Sequence, residues 1–200
     1  TEASNFIVDM AHTYPGEVTV LAVGPVTNIA TALTQAPEIG PKLAEVVSMG
    51  GNVSAADIAN TQCYTDLNYG SDKDAAAVFL ESVPNLTVVS IQTSERFFVS
   101  PSRYRRMTTE TQYADYLARN TKFWYWLQRR AFIVWDLVAL ACLVNPEWFT
   151  PVEATLNYEI TATGNPRLVQ HLQAGESARV NVPEFSADRD QFWDWVFERL

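Results

Sequence analysis

Asn60, Asp66 and Asn68 crowd into the segment NTQCYTDLN, which puts two carboxamides and one carboxylate within a single loop. An amide both donates and accepts, whereas an ionised carboxylate only accepts, so the trio can satisfy a small ligand rich in hydroxyls. The same residue types also bond to nearby backbone in turns, and that structural use competes with the first. Asp136 is the only charged residue in the apolar run IVWDLVALACL. A carboxylate in such a run must be paired, hydrogen-bonded or set on a metal. Service at a helix start is compatible with any of these. Ser48 stands two residues before Gly50-Gly51, where an apolar run stops abruptly. A strand that ends in two glycines can leave its last carbonyls free for a hard cation, although Gly-Gly is also ordinary punctuation.

The elements that must position these residues follow from periodicity. Phe6, Ile7 and Met10 have helical spacing over 3–11, and Pro15-Gly16 closes that helix. The β-branched run 17–23 predicts a buried strand, and Ile29, Ala30 and Leu33 mark one face of a helix over 27–35. Asn28 reads as a helix-start residue that ties down the Gly24-Pro25 turn, not as a ligand. Pro37 breaks that helix, Pro41 begins a short helical turn, and 45–49 is the next strand. Ser71 or Asp72 starts a helix over 72–82 with Ala75, Ala76, Phe79 and Leu80 facing a core, and 86–91 is a further strand.

Beyond Ser94 the chain changes character. Arg103, Arg105 and Arg106 precede Tyr113, Tyr116, Phe123, Trp124, Tyr125, Trp126, Phe132 and Trp135. Core packing of a long helical segment is the expected use of most of these rings. Arg129 and Arg130 read as solvated helix surface. Residues 152–161 alternate as an edge or antiparallel strand, a turn follows at 164–166, and a shorter strand lies near 178–182. Asp188 with Gln191 reads as a capping box for a last helix with Phe192, Trp195, Val196 and Phe197 on its apolar side.

Composition narrows the class of partner. Two hundred residues with 48% hydrophobic content suffice for one domain with a sizeable core. A net charge of −9 opposes nucleic acid or an anionic membrane as the main partner. No run is long and apolar enough to span a bilayer. Cys63 and Cys142 form neither a metal spacing nor a disulfide framework and read as one semi-exposed and one buried thiol. Asn52 and Asn85 fit the glycosylation acceptor pattern, which is short enough to arise by chance. Cellular location is left open between cytoplasm and export.

In order along the chain, GPVTNIA, SMGG, NTQCYTDLN and the Trp-Asp of IVWDLVALA resemble the nucleoside hydrolase (nucleoside N-ribohydrolase) family, calcium enzymes that split ribonucleosides into base and ribose. The resemblance implies an α/β fold: an open, mostly parallel Rossmann-like sheet flanked by helices, with an aromatic-rich helical segment and a small C-terminal antiparallel strand region. The family opens with a strand and a DxDxxxDD loop, and no such run occurs in residues 1–200. The chain is therefore expected to be a single domain, 1–200, corresponding to the C-terminal two thirds of a family member. It is expected to be inactive alone, with the general base and most carboxylate ligands in the N-terminal loop.

The resemblance also implies roles. Asn60 and Asp66 would reach the 5′ side of the sugar and Asn68 its ring hydroxyls, and Asp136 would ligate Ca²⁺ and lie near the ribose. Ser48 would offer the ion its main-chain carbonyl. Family members usually carry glutamate at the position of Asp66, whose side chain is one methylene shorter. Many carry histidine at the position of Trp135, where an indole can stack on a base but cannot protonate it. Trp135 therefore implies purine preference, with Phe123, Trp124 and Trp126 as candidates for a second stacking wall. The alternative is a noncatalytic nucleoside-binding or assembly protein on the same scaffold. Association is open between a homo-oligomer and pairing with an N-terminal portion.

Overall fold

The structure, a computed structural model, describes residues 1–51, 66–127, 132–160, 166–170 and 178–200. Helix α1 (Glu2–Thr13) leads to β1 (Val18–Ala22), α2 (Thr27–Gln35) and, through a 3-10 turn at Pro37–Lys42, to β2 (Leu43–Met49). A short α3 (Leu67–Gly70), α4 (Lys73–Ser82), β3 (Leu86–Val89) and a short α5 (Ile91–Ser94) follow. Helices α6 (Pro101–Thr109), α7 (Ala114–Leu127) and α8 (Trp135–Val144) precede strands β4 (Phe149–Thr150), β5 (Glu153–Ile160), β6 (Pro166–Gln170), β7 (Ala178–Asn181) and β8 (Glu184–Phe185). Helix α9 (Arg189–Phe197) closes the order.

Six strands form one sheet in the order β1-β2-β3-β7-β5-β6, and β4 pairs with β8 separately. β1, β2, β3 and β7 are parallel, whereas β5 runs antiparallel to both β6 and β7. The expected α/β class with a C-terminal antiparallel region is what the structure shows. Strand alternation sends Val46 and Val88 to a core under α1, α2 and α4, and sends Val47 and Val89 to a second core with α8 and α9. Each valine so buried contributes roughly 1.5–3 kcal/mol. Among the described residues the parallel half meets the antiparallel half through a single register pair, Thr87 with Asn181.

Several elements differ from the sequence reading. β3 stops at Val89 because the Ser90 hydroxyl accepts from Thr93 N at 3.1 Å and caps α5. Asn28 does not cap α2; its side chain takes a hydrogen bond from Thr1, and the Thr27 hydroxyl instead ties α2 to Asp72 at 2.6 Å. The aromatic stretch 113–135 is divided between α7 and the start of α8, and β5 is antiparallel, the second of the two readings its alternation allowed. β6 is a strand beyond those the sequence pattern marks, and it begins at Pro166, the last residue of the expected turn. The Asp188 carboxylate caps α9 through Asp190 N at 2.9 Å, and Trp193 joins the buried side.

The expectation that most aromatic rings pack in the core fails in α7, where only Tyr125 is buried. Its ring stacks on Tyr104 of α6 at 3.8 Å, while the rest of the aromatic residues face outward. The basic residues of α6 are likewise bound to the protein. Arg103 lies over Trp193 at 4.5 Å and Arg106 over Phe197 at 3.9 Å, which joins α6 to α9.

Candidate active site at the carboxyl ends of the parallel strands

The end of β2 is stitched to the start of α3 by one carboxylate. Asp66 is the N-cap of α3 and accepts from Gly51 N at 2.7 Å, Asn68 N at 2.9 Å and Tyr69 N at 3.1 Å. Burial pushes its carboxyl above the usual range, and the three amides oppose that shift because they favour the ionised form. Asn68 Nδ2 donates to Met49 O at 2.8 Å, which leaves Oδ1 without a bond among the described residues. The buried Tyr69 hydroxyl donates to Ser48 Oγ at 3.0 Å. Gly50 allows this closeness, since a Cβ there would come within 2.8 Å of the Tyr69 ring, and Gly51 takes a φ of 82° that favours glycine.

Ser48 is the penultimate residue of β2, at the strand end that precedes Gly50-Gly51. It is fully buried between Ala22 of β1 and Val88 of β3, and the ladder continues past it through Gly50 N to Val89 O at 3.2 Å and Ile91 N to Gly51 O at 3.0 Å.

Helix α8 brings Trp135 and Asp136 to the same edge. The Cys142 thiol, near the end of α8, is pushed up to about 12 by burial and secondly by the Glu45 carboxylate, near the start of β2. α8 shares the second core with Val47 and Met49 of β2, and its entry is tied to the segment that follows the carboxyl end of β3. Val134 N to Phe97 O at 3.0 Å and Val99 N to Phe132 O at 2.7 Å tie the entry of α8 to the segment after β3. Trp135 packs against the second core. Asp136 sits in the first turn of α8, where the helix dipole favours an anion, and it makes no hydrogen bond or ion pair among the described residues. Its side chain is exposed, yet enough protein surrounds it for desolvation to lift its carboxyl above the usual range. With that exposure the shift is a small effect.

Asn60 and Cys63 lie outside the described residues, as do Asn52, Arg129 and Arg130. Phe123 makes ring contacts with Trp124 and Trp126 at 6.2 and 6.4 Å, and all three are exposed. Sequence reasoning missed Tyr69 and Gly51. Only the Gly-Gly pair signalled Gly51, and nothing in the pattern marked Tyr69. A cleft of about 470 Å³ lined by Glu45, Asn85, Thr87, Glu153 and Asn181 lies at the opposite, amino ends of β2 and β3, away from these groups.

Calcium takes six to eight oxygens. Among the described residues no group of three or more His, Cys, Asp or Glu could hold a metal, so the single Asp136 carboxylate does not by itself fit such an ion. Among these residues, too, no helix is long and apolar enough to cross a membrane.

Polar groups gathered outside the carboxyl ends of parallel strands define an α/β protein of the ligand-binding kind. The family model described as inosine-uridine preferring nucleoside hydrolase matches residues 1–194, and the chain belongs to that family. It is 31% identical over 154 residues to a probable uridine nucleosidase 2 of Oryza sativa subsp. japonica, covering 74% of this chain and 45% of that one. Two solved structures share the fold. A plant nucleoside hydrolase superposes with a TM-score of 0.86 at 18% identity over 98% of this chain and 66% of its own. A purine-preferring ribonucleoside hydrolase from Gardnerella vaginalis superposes with 0.79 at 22% identity over 98% and 64%. The chain spans about half the length of the curated relatives it matches.

Proposed function

We propose that the complete protein hydrolyses the N-glycosidic bond of ribonucleosides, releasing base and ribose. One observation carries this reading: a chain of this family holds an Asn68 Oδ1 and an Asp136 carboxylate, both without a bond among the described residues, at one edge of the sheet. Asn68 Oδ1 accepts from a sugar hydroxyl, and the Met49 carbonyl fixes its amide so that the oxygen faces outward. Asp66 orients Asn68 through its backbone amide. Asp136 accepts from further sugar hydroxyls and is the described side chain suited to a Ca²⁺ ligand, with the remaining oxygens supplied from outside the described residues. Asn60 is proposed for the 5′ side.

For the base, Trp135 supports purine preference, because stacking contributes roughly 1–3 kcal/mol per base and grows with ring size. A second reading has its own support: the relative at 31% identity is named for uridine. Base release from inosine, guanosine, uridine and cytidine by the full-length protein, with and without Ca²⁺, tests both. No turnover of any of the four would overturn the hydrolase reading in favour of nucleoside binding without catalysis. Faster turnover of uridine than inosine would replace the purine preference.

A further inference from the structure

We propose that Met49 and Tyr69 are positioning residues that hold the Asn68 carboxamide as a hydrogen-bond acceptor, so that the site selects a hydroxyl donor at that point of its ligand. The inference rests on the reading of Asn68 as a contact to the sugar. Three contacts, in a fixed order, carry it. From the N-cap of α3 onward, Asp66, Asn68 and Tyr69 meet residues that run backward along the end of β2: Gly51 N at 2.7 Å, Met49 O at 2.8 Å and Ser48 Oγ at 3.0 Å. The two segments are thus fastened side chain by side chain in reverse order. A helix of four residues does not hold itself, because nucleating one turn fixes several dihedrals for a single hydrogen bond. The direction in which Asn68 points is therefore set by its contacts with β2.

The two ends of the Asn68 carboxamide are not equivalent. Nδ2 carries two hydrogens, and Met49 offers it two acceptors, the main-chain carbonyl at 2.8 Å and the thioether sulfur at 3.4 Å. Turned over, the amide would set Oδ1 against that carbonyl, two acceptors with no hydrogen between them, and would give up both bonds. Oδ1 is therefore held on the side away from Met49, where it only accepts. A ligand hydroxyl satisfies it, and a group that cannot donate does not.

Tyr69 fixes the next link. Its side chain is fully buried, its hydroxyl donates to Ser48 Oγ, and its ring lies where a Cβ on Gly50 would come within 2.8 Å. Burial holds the phenol above its ordinary pKa, so the hydroxyl remains a donor. Asp66 pins the same turn through Asn68 N at 2.9 Å and Tyr69 N at 3.1 Å. With the residues on both sides of Leu67 and Asn68 anchored, α3 cannot swivel about the contact between Asn68 and Met49. Met49 and Tyr69 are themselves buried, and they act through Asn68.

The test compares inosine with 2′-deoxyinosine and 3′-deoxyinosine on the full-length protein. Binding is read as KM for a compound that is turned over and as a competitive inhibition constant for one that is not. Asn68→Ala should weaken inosine about thirtyfold and leave one deoxy analogue nearly unchanged, which identifies the hydroxyl. Asn68→Asp keeps an outward acceptor but removes the donors to Met49, and it should lose about as much as the alanine variant. Tyr69→Phe should weaken inosine about tenfold, and Met49→Leu about threefold, without changing the binding of that same deoxy analogue. Met49→Leu conserves volume and keeps the fold, so the outcome does not hang on Tyr69→Phe alone. If Asn68→Ala weakens all three compounds alike, or none, the sugar reading and this inference fall together. If Asn68→Ala discriminates while Asn68→Asp binds inosine as the parent does, the sugar reading stands and the positioning role is overturned. Losses in Tyr69→Phe and Met49→Leu that are equal for inosine and the deoxy analogue, or absent, overturn it as well.

Discussion

The loop after β2 and the first turn of α8 each place an aspartate at a helix start on the same edge of the sheet, yet Asp66 and Asp136 are used in opposite ways. Asp66 is buried, and both its oxygens are taken by three backbone amides. Asp136 is exposed and, among the described residues, unengaged. A helix N-terminus attracts either carboxylate. What separates them is whether the neighbouring chain supplies donors: Gly51 returns to Asp66 across fifteen residues of sequence, and among the described residues nothing comparable returns to Asp136. The first carboxylate binds the end of β2 to the start of α3, and the second is the one proposed for a ligand.

The largest expected effect breaks the first half of that contrast. Asp66→Ala removes the acceptor of three amides, two of them on buried residues, and each buried amide left unpaired costs about 1–3 kcal/mol. Thermal and chemical denaturation should show a loss of about 3–5 kcal/mol, and a loss below 1 kcal/mol would mean that the amides find other acceptors. Next, Asp136→Asn in the full-length protein should lower turnover and Ca²⁺ affinity by about a hundredfold, or about 2.7 kcal/mol, with the unfolding midpoint little changed. Unaltered Ca²⁺ affinity by calorimetry would sink the ligand assignment.

Two smaller effects sharpen the comparison. Trp135→Ala should erode kcat/KM for inosine and guanosine by about 1–2 kcal/mol more than for uridine and cytidine, since the stacking surface lost is larger for purines. Equal losses for all four substrates would remove the role of the indole in base choice. The smallest effect has a definite sign. The carboxyl of Asp136 is raised by desolvation, so its ionisation opposes folding: the penalty is absent below the unfolded value near 4 and complete above the raised folded value. Without Ca²⁺, Asp136→Asn should therefore stabilise the chain at neutral pH by no more than about 0.5 kcal/mol, and the gain should vanish as pH falls through that window. A stability loss at neutral pH would show that the carboxylate has a partner.

Much of the fold was legible because local patterns and tertiary demands agree. The helix 27–35 matches α2 to the residue, and Asp72 starts α4 as its position before an apolar-periodic run requires. Asp136 was legible as a lone charge in an apolar run. The role of Asp66 was not, because turn bonding and ligand contact need the same residue types and only the return of Gly51 decides between them. In α7 the ambiguity had another source. An apolar stripe at helical spacing states that one face seeks an apolar partner, but not whether that partner is the chain's own core. The rings of Tyr113, Tyr116 and Phe123 thus read as interior and stand outside.

The single register pair between β3 and β7 bears on how the molecule opens. Cooperative unfolding spreads through hydrogen-bonded neighbours, and a sheet whose halves share, among the described residues, the one register pair of Thr87 and Asn181 gives them little backbone pairing with which to share a transition. Amide exchange should accordingly resolve two opening units. The slower holds β1 to β3, with its interior strand between two cores, and the faster holds the meander of β5 to β7. The edge carrying Asn68 and Asp136 belongs to the slower unit, so the meander can open and close while the proposed site keeps its shape.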